Sequence, residues 1–515
     1  MPSTPDPTHL TAPSGSPKSH FPFQLSFPVY SIQWLDDTRL ILAGGGGASR
    51  SGVHNRLSLY RLDVQHRSLT LLCTYPLSAD EDAPMTIALT PNPSLSTPTG
   101  NGDNEQPVAP SSWTLVAGIN SSENELKQGK NDNLRVFEVS RKLDEEEGEG
   151  KGWLIEDRGR VGTMRTTDAD EYQKVTVFSP SASSSTSSSS PLLAIGSTNS
   201  QLSLLSSPSP DLPTSTSPRT ASASTSTTPA LDVRKIEEVW PPVFYSPTPS
   251  TSSTEKEVDK EELLDADFDE EGKMLIGTSP LSLRIYPTSS SSNPYISRAP
   301  EPVQVIERPV LKEGVRCGFR GARFGRGETS SKLFTIVNTT PLIPSSLSQK
   351  QRRAFEKKTP KKAFLSRWDT REWKLEKTRT VSQKPVTGFV VSRDGRWGGF
   401  GEAGLGVGVV DLRGGLRPVL TILQAHQFPV TCLGFNPSGT VLVSGSADNS
   451  VRVVLIPASA SSSSSSSNYS TSTNFSTLTT YSLLLGFLIL LVAVIVQFGW
   501  VGDEVREVAA RAGVV

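Results

Sequence analysis

Two stretches near the end of the folded region decide the fold: VTGFVVSRDGRWGGFGEAGLGVGVVDL, beginning at Val386, and VTCLGFNPSGTVLVSGSADNSVRVVLI, beginning at Val430. They align without gaps at an offset of 44 residues, from 386 to 430. Each reads as an alternating strand, a turn (Asp394-Gly395 or Ser438-Gly439), a second strand, a tight turn and a third strand. Alternation of apolar and polar residues between turn dipeptides is the signature of half-buried strands. A unit of this length that recurs cannot bury its apolar face alone and must stack on copies of itself.

Working back along the chain, the same strand-turn-strand pattern recurs over 29–62, 85–139, 174–205, 263–286 and 315–368. With the two clear copies this makes seven units, and the period lies within the roughly 40–45 residues of a WD-repeat propeller blade. The second clear copy resembles a WD repeat closely. His426 precedes its first strand, Ser444 and Ser446 lie in the second, and Asp448 stands in the turn before Val451-Arg452-Val453. In that family such side chains form a hydrogen-bond network that pins the blade. Val454 replaces the usual Trp, so the resemblance implies an incomplete network here. Blade scaffolding accounts for His426 and Asp448 better than a catalytic pair does. FPFQLSF at 21–27 is placed to supply the outer strand of the last blade and close the ring. The expected fold is all-β, a seven-bladed WD-repeat-like β-propeller over 21–457, with a single transmembrane helix behind it.

Composition agrees with many short strands and turns. Apolar residues make up 35% of the 515, with 40 Gly and 39 Pro. Polar tracts at 91–112, 181–191 and 206–254, and the N-terminal residues 1–20, carry too little apolar surface to fold and are expected to be disordered. Formal net charge is −1, which argues against bulk electrostatic binding to nucleic acid. The basic cluster KQRRAFEKKTPKK at 350–362 could touch phosphates or anionic lipid, but reads first as a solvated loop. Cys73, Cys317 and Cys432 lie far apart in strand-like runs. They fit buried thiols in a reducing compartment better than a disulfide framework.

The sequence YSLLLGFLILLVAVIVQFGW at 481–500 has no charged residue, and Tyr481 and Trp500 bound it. At about 1.5 Å of rise per residue it spans a hydrocarbon core of roughly 30 Å, with its aromatics at the interfaces. The N-terminus has no apolar core of the kind a signal peptide needs. Positive charge around the span is weak on both sides, so orientation follows from the missing signal peptide. The propeller is expected in the cytosol and the 501–515 tail across the membrane. The Ser/Thr-rich linker at 458–480 would give a flexible tether reaching on the order of 25 Å. The sequons at Asn468 and Asn474 would then escape glycosylation.

One connection does not fit a plain blade. After the strand RLILA come Gly44, Gly45, Gly46 and Gly47, then Ala48, Ser49, Arg50, Ser51, Gly52, Val53, His54, Asn55 and Arg56 before the strand LSLYRL. A tight hairpin needs only roughly two to five residues. Consecutive glycines let carbonyls turn towards a common point, where they can coordinate a cation or sit beside a ligand. A phosphate-cradling loop would need Lys-Ser/Thr after its glycines, and a dinucleotide fingerprint would need a following helix. Neither is present. A plain glycine hinge remains the alternative.

The AGGGG run followed by Gly-Val-x-Asn, in the first blade of a propeller with a C-terminal anchor, resembles the prolactin regulatory element-binding protein family. Its fungal members are endoplasmic-reticulum exchange factors for the small GTPase that starts COPII coat assembly. The resemblance implies a loop ordered by a potassium ion on backbone oxygens, which pushes between the GTPase switch segments and opens the nucleotide site. On this sequence Gly44, Gly45, Gly46, Gly47 and Gly52 would shape the loop, Val53 would be its apolar tip, and Asn55 would brace its return. Ser51 and His54 complete the segment. The ensuing expectation is a single-pass protein of the endoplasmic reticulum membrane that speeds GDP release and performs no covalent catalysis. Exchange of this kind is differential binding, because the factor holds the nucleotide-free GTPase most tightly. The runner-up is an anchored adaptor that recruits a protein partner without exchange, and a hydrolase on a propeller scaffold ranks below both.

Overall fold

The computed structural model describes residues 8–47, 52–78, 80–92, 110–141, 152–164, 166, 168–180, 191–207, 236–245, 261–289, 300–310, 315–344, 346–358 and 361–457. The expected membrane span at 481–500, its linker at 458–480 and the 501–515 tail lie outside them. Among the described residues no helix is long and apolar enough to cross a membrane.

Two short strands come first, β1 (His9–Thr11) and β2 (His20–Gln24). Blade 1 follows with β3 (Val29–Trp34), β4 (Arg39–Gly44), β5 (Arg56–Asp63) and β6 (Ser68–Pro76). Blade 2 holds β7 (Thr86–Pro91), β8 (Ser112–Gly118), β9 (Leu134–Arg141) and β10 (Trp153–Val161), with helix α1 (Glu123–Lys127) between β8 and β9. Blade 3 is β11 (Gln173–Phe178), β12 (Leu192–Ser197), β13 (Gln201–Ser206) and β14 (Glu238–Phe244). Blade 4 is β15 (Asp265–Phe268), β16 (Met274–Thr278), β17 (Ser282–Pro287) and β18 (Gln304–Glu307). Blade 5 is β19 (Val315–Phe324), β20 (Lys332–Pro341), β21 (Ala363–Asp369) and β22 (Lys374–Ser382), with helix α2 (Gln349–Lys358) between β20 and β21. Blade 6 is β23 (Val386–Val391), β24 (Trp397–Glu402), β25 (Val407–Asp411) and β26 (Arg417–Ile422). Blade 7 is β27 (Val430–Phe435), β28 (Val441–Ser446) and β29 (Ser450–Leu455), completed by β2.

All seven sheets are antiparallel meanders, and the seven expected units are seven blades. His20 pairs with Val454 and Gln24 with Ser450, so the N-terminal strand closes the ring as the sequence predicts. The apolar clusters lie between blades. One joins Phe21, Phe23, Val443 and Val453 of blade 7 to Ile32, Leu42 and Tyr60 of blade 1, and another sets Ile41, Leu57 and Leu59 of blade 1 against Ile87, Leu115 and Phe137 of blade 2. Each fully buried aromatic or branched side chain contributes about 1.5–3 kcal/mol. The innermost strands surround a central channel of about 350 Å³.

Three expectations of disorder need correction. Within 206–254, Glu238–Phe244 forms the outer strand of blade 3, pairing with β13 and burying Trp240. Within 1–20, His9–Thr11 adds a fifth strand to blade 1, with His9 opposite Thr70. Pro91 and Ser112, the ends of the 91–112 tract, are in strands β7 and β8. The basic segment also differs from a plain loop, since Gln349–Lys358 is helical; its Lys, Arg, Gln, Ala and Glu are good helix formers.

Antiparallel meanders alternate their connections between the two ends of a blade. The linkers between blades and the connections from second to third strand therefore share one face of the ring. The glycine connection, α1 and α2 are all of the second kind and stand on that face.

Candidate functional site

The glycine connection is built from its strand ends inwards. Gly44 pairs with Arg56 on one side and with Val29 on the other, so it is the last residue of β4. Ser446 ends β28 opposite Val430 in the same way, and Gly118 ends β8 opposite Thr86. The first glycine of the run thus belongs to the blade scaffold, a correction to its assignment to the loop. A side chain there would not fit, because a Cβ on Gly44 would come 1.9 Å from the Pro28 carbonyl. The loop proper begins at Gly45, whose φ of 147° lies in the region open to glycine. Its Cβ would fall 2.3 Å from Asn55 Oδ1 and 2.5 Å from Asn55 Cα.

Asn55 is 3% exposed and uses both ends of its amide. Its Oδ1 accepts from the Gly47 N–H at 2.9 Å, and its Nδ2 donates to the Gly47 carbonyl at 3.2 Å and the Glu81 carbonyl at 2.8 Å. Its own carbonyl accepts from Leu77 N–H at 2.9 Å, and Gly46 N–H reaches Val53 O at 3.3 Å. The outgoing and returning arms are therefore tied to each other and to the linker between blades 1 and 2. Val53 is half-buried and packs against the Phe21–Phe27 cluster, which corrects its placement as a free apolar tip. Gly52 and His54 are exposed. Ser51, with Ala48, Ser49 and Arg50, lies outside the described residues.

The linker that receives Asn55 was not singled out in the sequence, although its acidic run Asp80-Glu81-Asp82 is visible there. Glu81 Oε1 pairs with Arg135 at 2.6 Å, and Arg135 also pairs with Asp157. Burial works against the Arg135 charge, but Asp157 and Glu81 more than offset it and raise its pKa. Asp82 stands beside Gly47, 3.3 Å from where a Cβ would be.

Four large apolar side chains are exposed on the same face. Leu423 and Phe428, 76% and 56% exposed, lie in the linker into blade 7; Val310 follows β18, and Leu342 follows β20. The other exposed apolar side chains among the described residues, Phe244, Val303, Val305 and Leu375, lie on outer strands or beside one at the rim. A face that gathers exposed apolar groups beside long connections is suited to a protein partner.

His426 and Asp448 are scaffold. His426 Nε2 meets Ser444 Oγ at 2.8 Å and Nδ1 meets Ser450 Oγ at 2.7 Å. Ser450 in turn donates to Asp448 Oδ1 at 2.6 Å, and Asp448 Oδ2 accepts from Gln427 N–H at 2.5 Å. Ser450 links the imidazole to Asp448, while Val454 offers Ser444 no donor, so the network lacks its Trp member as expected. Burial lowers the His426 pKa to about 4, so the ring is neutral. Blade 4 builds a variant of this lock, with buried Glu261 accepting from Ser279, Ser282 and Arg284. The three cysteines are all free thiols in strands, and burial pushes Cys73 and Cys432 up to about 12.

Residues 417–454 match the family model for the WD domain, G-beta repeat. The matched segment is the last strand of blade 6 and the first three of blade 7. The chain is also similar to the crystal structure of Chaetomium thermophilum Raptor, at 10% identity and a TM-score of 0.46. That similarity covers 85% of this chain but only 28% of the Raptor chain, and it assigns no activity. The repeat match and the seven-sheet ring make the folded part of this chain a WD40 repeat domain, a seven-bladed β-propeller.

Proposed function

We infer that the propeller is an interaction scaffold whose glycine-loop face receives a small GTPase and promotes release of its GDP. The GTPase is the one that initiates COPII coat assembly, and the factor is held at the endoplasmic reticulum membrane by 481–500 with its N-terminal domain in the cytosol. The observation that carries the reading is the Asn55 clamp: a long glycine connection, fixed at its base to the blade 1–2 linker, on the face that also exposes Leu423 and Phe428. A loop braced at its root has fewer residues left for a partner to fix, so less of the binding energy is lost to entropy. Exchange then needs only that the face bind the nucleotide-free partner more tightly than the loaded one.

The potassium ion of the resemblance has suitable oxygen donors here. Carbonyl oxygens at Gly45 and Gly52 accept no hydrogen bond among the described residues, and the Asp82 carboxylate lies alongside Gly47. These groups would hold a hard cation and stiffen the loop.

The test is release of labelled GDP from the purified GTPase with the full chain added. Deleting Ala48–Ser51 leaves Gly47 and Asn55 in place and should abolish the acceleration. Acceleration that survives the deletion refutes the loop's role. Binding of the GTPase without acceleration by the unaltered chain would instead make the protein an adaptor, the reading that the exposed apolar residues support equally.

A further inference from the structure

The acid–base groups between blades 3, 4 and 5 do not balance. Lys174 on β11 pairs with Glu262, and Arg323 on β19 pairs with Asp265. Arg326 pairs with Asp267 at 3.0 Å. Arg320 feels Asp265 and Glu262 electrostatically, yet both acids are committed to other cations. Among the described residues Arg320 makes no hydrogen bond and no ion pair within 4 Å. A guanidinium has five donors and keeps its charge at any physiological pH. Burying one without a partner is costly, and burial pushes the Arg320 pKa down.

The backbone aims this side chain. Gly318 pairs with Asn338, Phe319 with Val337, and Gly321 with Ile336, so Arg320 is the extra residue of a bulge. Bulges re-aim a side chain out of the regular alternation. Here the result is a hollow of about 310 Å³ between blades 4 and 5, lined by Arg308, Arg316 and Arg320 with Pro280 and Leu281. Arg316 and Gly318 share one side of β19, and Pro280 packs against the glycine, 3.2 Å from where a Cβ would stand. The Arg308 N–H donates to Leu281 O at 2.8 Å, and Cys317 Sγ donates to the neighbouring Pro309 carbonyl, so the linker bearing Arg308 is fixed against both blades. The hollow opens on the glycine-loop face, because β18 ends and β19 begins there.

We propose that Arg308, Arg316 and Arg320 form a binding site for a phosphorylated small molecule. The volume is at the lower end of the roughly 300–1,000 Å³ of ligand pockets. A phosphoryl group presents several oxygens to planar guanidinium forks and can engage more than one at once. The site is separate from the glycine loop, which belongs to blade 1, so its success or failure leaves the exchange reading untouched.

Calorimetric titration of the full chain in mild detergent with pyrophosphate, and separately with dioctanoyl phosphatidylinositol 4-phosphate, tests the site. Saturable binding should appear in the unaltered chain and weaken at least tenfold in Arg320→Gln. The exposed Arg393→Gln, on the opposite face, should bind normally. Arg320→Lys retains the charge without the fork and should weaken binding several-fold, with an unchanged melting curve showing that the blade is intact. Tighter binding of the lipid than of pyrophosphate identifies a membrane headgroup as the source; equal binding identifies a free phosphate. No saturable binding of either probe overturns the proposal, as does equal loss in Arg320→Gln and Arg393→Gln.

Discussion

Replacing Asn55 by Ala removes three hydrogen bonds at once and leaves their partners behind. At about 1 kcal/mol net per bond the loss sums to about 3 kcal/mol. Gly47 is half-buried and can recover some hydration, whereas Glu81 is buried and its carbonyl recovers little. A local loss of about 2 kcal/mol follows, on the order of 30-fold in the opening equilibrium of the loop base. The measurement is amide hydrogen exchange, since a ring of seven blades need not unfold in two states. Exchange should speed up by that factor at Gly47, Gly46 and Leu77, whose N–H groups meet Asn55 or the arm it returns on. Amides of β28, across the closure in blade 7, should keep their rates. If Gly47 and Leu77 exchange within twofold of the unaltered chain, the amide does not hold the loop and the clamp argument fails.

Gly45→Ala should act on the same contact, because its Cβ would strike Asn55 backbone and side chain together. The double variant with Asn55→Ala should cost less than the sum of the two in the same exchange experiment. Replacing potassium by sodium should speed exchange at Gly46 and Gly47 if carbonyl oxygens hold the ion, and unchanged rates would remove the ion from the account. His426, whose pKa falls to about 4 when folded against about 6.5 unfolded, stabilises the chain above pH 6.5. Its contribution, on the order of 3 kcal/mol, is lost as pH falls from 6.5 to 4, because the unfolded ring takes up the proton first. Melting curves across that range should be steeper in pH for the unaltered chain than for His426→Gln. Glycan at Asn468 or Asn474 on protein from secretory-competent cells would invert the proposed topology; none is expected.

The blades were legible in the sequence because each carries strand, turn and strand in a run short enough to read. The second strand of most blades also ends in a small pair: Gly196-Ser197, Gly277-Thr278, Gly445-Ser446, and in blade 1 Ala43-Gly44. That comparison would have separated Gly44 from the loop. Strand β14 was hidden by Pro241 and Pro242, which argue against a central strand, but an edge strand has no outer neighbour needing those N–H groups. Strand β1 has three residues and no pattern of its own; only the exposed edge of β6 makes it a strand. Ser450 was missed because its role depends on the imidazole rotamer of His426, and the Arg320 bulge because it is set by register between two strands. Asn55 was picked out through resemblance, while the amide geometry that explains it required coordinates.

The topology also divides the work between the two faces. The connections that join a first strand to a second, or a third to a fourth, all turn at one end of the blades. Their described ends therefore lie on the face opposite the glycine loop. Strand β29 is a third strand, and its C-terminal end, near Leu455, points to that same opposite face. The Asn55-clamped loop, Leu423, Phe428 and the arginine hollow share the other face.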